Sequence, residues 1–256
     1  MFQLDIVTLQ NWIQQFLWPL IRISAFCMVA PIFGTALVPP RVRLLFSLLL
    51  TMILAPNLTG LPQLDVLSPA AVVLVAQQLL IGIGLALFLQ ILMQAFVTFG
   101  QFVAMQMGLG FASLNDPLNG VMVASVSQFY LMLITLLFLG LNGHLVMIDV
   151  LVESFHTLPV GMEIGSDRLQ TLVGWVGWMF AAALLLALPA VTALLLINCT
   201  LGVITRDAPQ LNIFAIGFPL MVLLGFVILW ASFGTILPSF ERFSAEALTA
   251  MREWVM

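Results

Sequence analysis

The sequence predicts an all-α integral membrane protein with about six apolar helical segments, and three observations support this. Hydrophobic residues make up 62% of the chain and charged residues 7%, with a mean hydropathy of +1.19, far from the composition of a soluble domain. The apolar residues fall in long runs, and a helix needs roughly 20 of them to cross the hydrocarbon core. Prolines, glycines and short polar stretches, rather than blocks of charge, punctuate those runs.

In chain order the segments run approximately Trp12–Val38, Val42–Leu58, Val66–Met107, Val121–Val152, Leu169–Ile204 and Leu211–Leu237. The first follows MFQLDIVTLQNW, which has an acid and no base ahead of the apolar run, so it is expected to stay rather than be cleaved as a signal peptide. The third and fifth are too long for one simple span, and tilt, kinks or a hairpin must absorb the excess. Pro19, Pro31, Pro189 and Pro219 lie within apolar runs, where each removes a backbone hydrogen bond and bends a helix. Orientation is not fixed by charge. Arg168, Arg242 and Arg252 would face the cytoplasm in one six-span topology, and Arg41, Arg43 and Arg206 in the other.

Several chemistries are excluded by the residues present. All seven basic residues are arginine and the formal net charge is −4, so there is no basic stripe for nucleic acid. Cys27 and Cys199 sit in apolar stretches as buried thiols rather than a disulfide or metal pair. Glu153 and His156 form a Glu-x-x-His pair, half of a di-iron bundle motif, but the second pair and the two further glutamates are missing. No nucleophile motif and no phosphate-binding loop occurs. The chain is expected to be no enzyme and to hold no metal or cofactor.

Polar residues inside the apolar runs are the remaining candidates. Gln90, Gln94 and Gln101 share one helical face, suited to hydrogen-bonding a neighbouring helix or lining a pore. Arg22 lies ten residues into the first segment, where structural pairing is favoured over transport. Asp149, Glu153 and His156 fall on one face and His144 on another, the pattern of a polar helix end at the interface. The stretch GQFVAMQMGLGFASLNDPLNGVMVASV breaks the helix between two apolar flanks with a single charge, Asp116. Met105, Met107, Gly108, Gly110, Phe111, Leu114, Asp116, Pro117 and Met122 read either as an ordinary turn or as an apolar plug whose methionines adapt to varied cargo. SFERFSAEALTAMREWVM forms an amphipathic C-terminal helix that would lie on the bilayer or on a partner.

Long ordered matches to one family then add to these readings. FLWPLIRISAF, VPPRVR, GQFVAMQMGLGFA, NGHL, SFHTLP and APQLNIF, spread over nearly the whole chain, resemble the FliR family of flagellar and virulence type III export-gate proteins. The resemblance implies a multi-pass protein of the bacterial inner membrane at the flagellar basal body. It implies kinked hairpins, with residues 1–165 built like FliP around a central loop at 106–120, and 166–256 built like a FliQ hairpin. The implied partners are FliP and FliQ in a gate holding one such chain, FlhB at the cytoplasmic entrance, and FlhA and exported flagellar proteins in the whole apparatus, all within membrane lipid. Arg206, Asp207, Pro209 and Gln210 would be the polar hairpin tip on the FlhB side. A six-helix secondary transporter using Arg22 and the acids, or a purely structural scaffold, are the alternatives.

Overall fold

The computed structural model describes residues 6–35, 37–58, 60–62, 68–109, 125–207 and 213–256. Among these, every regular element is helical. The helices are α1 (Ile6–Val29), α2 (Pro40–Leu54), α3 (Pro69–Gln106), α4 (Ser125–Gly140), α5 (Gly143–Thr157), α6 (Ser166–Asp207) and α7 (Ile213–Val255), with a 3-10 turn at Ala55–Asn57 after α2. Each of the six apolar segments carries helix among its described residues. The fourth is split, because Asn142 takes a left-handed conformation (φ 57°) between Gly140 and Gly143, a conformation that asparagine adopts more cheaply than most non-glycine residues. α4 and α5 meet there at 70°.

Three helices among the described residues are long and apolar enough to cross a membrane, or four spans if the bent α4–α5 pair counts as one. α2 is too short at 15 residues. α1 is diluted by its glutamines and Arg22. α3, with 38 residues, is one continuous helix rather than a hairpin, about 57 Å long at 1.5 Å per residue. Pro19, Pro189 and Pro219 lie inside helices, as does Pro238. Pro31 instead falls in the turn after α1.

Local chemistry explains the helix ends. Pro40 opens α2 at a position where its missing N–H is not needed, and Arg43 folds back to donate to the carbonyls of Thr35 and Val38. α6 carries Asp167 in its first turn and Arg206 in its last, both complementary to the helix dipole. α3 stops at Gly108, whose φ of +81° suits glycine. The Leu109 N–H reaches Ala104 O at 3.0 Å and the Gly108 N–H reaches Met105 O at 3.1 Å, which together form a Schellman C-cap.

The chain divides into two units, residues 1–91, 138–175 and 246–256 in one and 92–137 and 176–245 in the other. In the first, a Cβ at Gly82 would collide with the Arg22 carbonyl oxygen, so α1 and α3 cross there in close contact. Trp254 closes the same unit: its ring lies 5.9 Å from that of Phe88, Gly84 leaves room for it, and its Nε1–H donates to Arg168 O at 2.8 Å. In the second unit, Phe96 packs on Phe240 and Phe243 with centroids 5.8 and 6.0 Å apart. Gly100 admits the Ser127 backbone, which a Cβ would approach to 2.8 Å.

The C-terminal amphipathic stretch is continuous with α7. Its stripe of Phe240, Phe243, Ala247, Met251 and Trp254 is buried within this chain. Burial of such side chains stabilises by roughly 1.5–3 kcal/mol each, which accounts for the helical spacing of the stripe.

Candidate functional site

Arg22 sits fully buried on α1 with Trp18 one turn before it. No acid pairs with it among the described residues. Its Nε–H donates to Gln78 Oε1 at 2.8 Å, one Nη to Ser154 O at 2.7 Å and to Ser154 Oγ at 3.3 Å, and the other to Leu158 O at 2.8 Å. The guanidinium also lies 4.3 Å from the centroid of the Phe155 ring. Ser154 and Leu158 belong to the last turn of α5 and the residue after it, so their carbonyls carry the negative end of the helix dipole. A cation held by carbonyls, an amide oxygen and an aromatic face is satisfied without a carboxylate. Its donors are engaged in structure, which fits the pairing expected for Arg22 and leaves little of it for substrate coupling.

The polar face of α5 is used differently. Arg252 Nη2 lies 3.2 Å from Asp149 Oδ2 and its Nε 3.7 Å from Glu153 Oε2. These groups are largely exposed, so each contact contributes roughly 0–1 kcal/mol. His156 is exposed, and His144 is half-buried with a buried Nδ1 that meets no partner among the described residues. No group of three or more potential metal ligands forms among the described residues. Gln90 and Gln101 are half-buried and Gln94 is exposed.

Around the end of α3 the proposed plug residues separate. Met105 is exposed and Met107 fully buried, the latter filling the space that Gly225 leaves open on α7. Gly108 forms the cap described above and faces the Phe218 ring. Gly110, Phe111, Leu114, Asp116, Pro117 and Met122 lie outside the described residues, as do Pro209 and Gln210. Arg206 and Asp207 end α6, with Arg206 exposed. Beside the α3 cap an apolar cleft of about 560 Å³ opens, lined chiefly by Val126, Phe129, Tyr130, Phe226, Leu229 and Trp230.

Residues 13–247 match the family described as bacterial export proteins, family 1. The chain belongs to that family. Among its relatives are proteins named flagellar biosynthetic protein FliR. The chain is 38% identical to that of Escherichia coli (strain K12), covering 95% of this chain and 93% of the relative. It is 40% identical to that of Pectobacterium carotovorum subsp. carotovorum, covering 91% and 88%. The Bacillus subtilis (strain 168) protein is 30% identical over 84% of each chain. As a family 1 bacterial export protein the chain is a membrane-associated component of the flagellar export apparatus, in a structural, non-enzymatic family.

Two features of this export protein stand outside the sequence reading. The carbonyl partners of Arg22 are backbone atoms, which no side-chain pattern announces. Tyr130 did leave a signal, since it is the only tyrosine beside 20 phenylalanines, and its hydroxyl is buried without a partner among the described residues.

Proposed function

We propose that the chain is one subunit of the protein-conducting gate of the flagellar type III export apparatus in the bacterial inner membrane, present once beside several copies of FliP and FliQ. Residues 1–165 act as a FliP-like part and 166–256 as a FliQ-like hairpin, so that one chain closes the ring against both kinds of neighbour. Residues 108–117 form the apolar closure of the pore, with Met105 and Met107 packing around it, and Arg206, Asp207, Pro209 and Gln210 face FlhB.

The observation that carries this reading is the mismatch between helix length and burial. α6 and α7 hold 42 and 43 residues, about 63–65 Å of helix against a hydrocarbon core of about 30 Å. Their most apolar windows are only 28% and 22% buried within the chain. Lipid can cover about half of such a length, and neighbouring protein must cover apolar surface beyond it.

Quantitative mass spectrometry of the complex purified through a tag on this chain tests the reading. One copy per complex with FliP and FliQ is expected. A stable monomer or a symmetric homo-oligomer active alone in liposomes would instead indicate a secondary transporter.

A further inference from the structure

We propose that Gln94, Thr98 and Gln101 of α3 form a contact line for the exported polypeptide, hydrogen-bonding the peptide groups of an extended chain beside the closure. The proposal rests on the gate reading above and names the surface of this chain that its substrate meets.

The line stands out because α3 is otherwise covered. Among residues 92–104 only Gln94, Thr98, Gln101 and Phe102 are not buried, and of these Gln94 is exposed. Every polar side chain of the stretch is therefore open, and every apolar one except Phe102 is covered. Met105, one turn beyond Gln101, is 68% exposed and continues the row. At about 100° per residue, Gln94, Thr98, Gln101 and Met105 fall within about 60° of the helix surface. All four belong to one unit of the chain.

An open polar row on a covered apolar helix is the reverse of a lipid-facing surface. α6 shows the lipid-facing pattern, with Leu184, Leu185, Leu188 and Leu196 exposed. Side-chain amides turned to hydrocarbon would lose their hydrogen-bond partners at a cost, so lipid does not cover this row. A neighbouring helix fits poorly too, because helices pack through apolar or small side chains over a stripe about 100° wide, and this row is polar and narrower. Water, and what moves through water, fits both its chemistry and its width.

The side chains present select a polypeptide. Gln94, Thr98 and Gln101 are uncharged, and each both donates and accepts. An extended chain presents an N–H and a C=O on the same side about every 6.7 Å. α3 places Thr98 about 6 Å along its axis from Gln94, and Gln101 about 4.5 Å further, differences that long amide side chains absorb. Peptide groups are common to every sequence, so the row serves cargo of any composition, and with no ion to pair it holds none of that cargo fast. Gln101 lies two turns before Gly108, where the proposed closure begins, so a chain on this row lies next to that closure.

The test uses the assembled complex in cells exporting an arrested substrate, an exported flagellar protein fused to a tightly folded domain. A photo-cross-linking amino acid is placed at position 94, 98 or 105, at 111 in the closure, and at 185 on α6 as the control. The arrested polypeptide should be captured from 94, 98 and 105 above the background at 185. With the cross-linker at 105, Gln94→Leu together with Gln101→Leu should lower that capture about 2- to 12-fold for each hydrogen bond lost. Gln94→Asn together with Gln101→Asn, which keeps both amides, should retain most of it, and FliP and FliQ should co-purify with both variants. Capture at 111 without any at 94 or 98 overturns this proposal and leaves the gate reading standing, whereas no capture at any position overturns both. Capture of FliP, FliQ, lipid or residues 110–124 of this chain at 94 in place of the substrate, or an unchanged yield in the leucine variant, also overturns the proposal.

Discussion

Arg22 of α1 donates a 2.7 Å hydrogen bond to the carbonyl oxygen of Ser154 on α5, across a sequence separation of 132 residues. Through its other nitrogens it also holds Gln78 of α3 and the Leu158 carbonyl. One buried cation thus joins three helices and caps the end of one of them. In an apolar interior this substitutes for a carboxylate partner, since oriented carbonyl dipoles supply negative potential without a second ion to desolvate.

Replacing Arg22 should therefore destabilise through the acceptors it leaves behind. Arg22→Leu strands the Leu158 carbonyl and the Gln78 amide oxygen, at about 1–3 kcal/mol for each buried group, while Ser154 O keeps the Leu158 N–H at 3.1 Å. Arg22→Lys retains charge but not the fork, and should fall between. Thermal unfolding in detergent reads the order wild type, lysine, leucine. Equal melting temperatures for all three would mean that the node carries no stability.

At the C-terminus, two neighbouring residues should differ widely. Trp254 is 3% exposed and makes ring contacts plus a hydrogen bond, so Trp254→Ala should cost about 3–5 kcal/mol. Arg252→Ala removes only exposed ion pairs and should cost about 0–1 kcal/mol. Steady-state protein level and resistance to protease distinguish them, and a larger effect at Arg252 would contradict the burial argument.

Two glycines give a matched comparison in the second unit. A Cβ at Gly100 meets the Ser127 backbone, whereas one at Gly225 meets the Met107 side chain from Cγ to Cε. Gly100→Ala should cost about 1–3 kcal/mol by forcing α3 and α4 apart. At Gly225 only the Met107 side chain, and no backbone, has to move, so Gly225→Ala should cost less than Gly100→Ala. Melting temperatures of the two variants measure the difference.

If residues 108–117 close the pore, water exclusion is their means, and charge is not required. Phe111→Ser, or deletion of residues 110–114, should then raise the ionic conductance of the intact complex in planar bilayers. Wild-type conductance in an assembled deletion variant would place the closure elsewhere.

Arg206 and Asp207 end α6, so exchanging both for alanine should leave helix packing nearly unchanged, with an effect within about 0.5 kcal/mol. Motility and cross-linking to FlhB should fall while FliP and FliQ remain bound. Normal values for both would make these residues a solvated helix end.

Composition and run length alone determined the fold class and the positions of the six apolar segments, because burial in lipid is a bulk property that any apolar run satisfies. The break at Asn142 and the stop at Gly108 were partly legible too, since glycine and asparagine are the residues that reach left-handed conformations cheaply. The sequence stretch NGHL held the bend, although periodicity alone read one segment from Val121 to Val152. What Arg22 pairs with was decided only by the tertiary structure: its acceptors are backbone carbonyls at a helix end, and every residue has a carbonyl. The fate of the C-terminal stripe was decided there as well. Phe240, Phe243, Ala247, Met251 and Trp254 share a face whatever they pack against, and only the folded chain supplies Phe96, Gly84 and Phe88 as their counterparts. Hydrophobic patterning fixes which face is covered, but the effect is non-directional, and the identity of the covering surface requires shape.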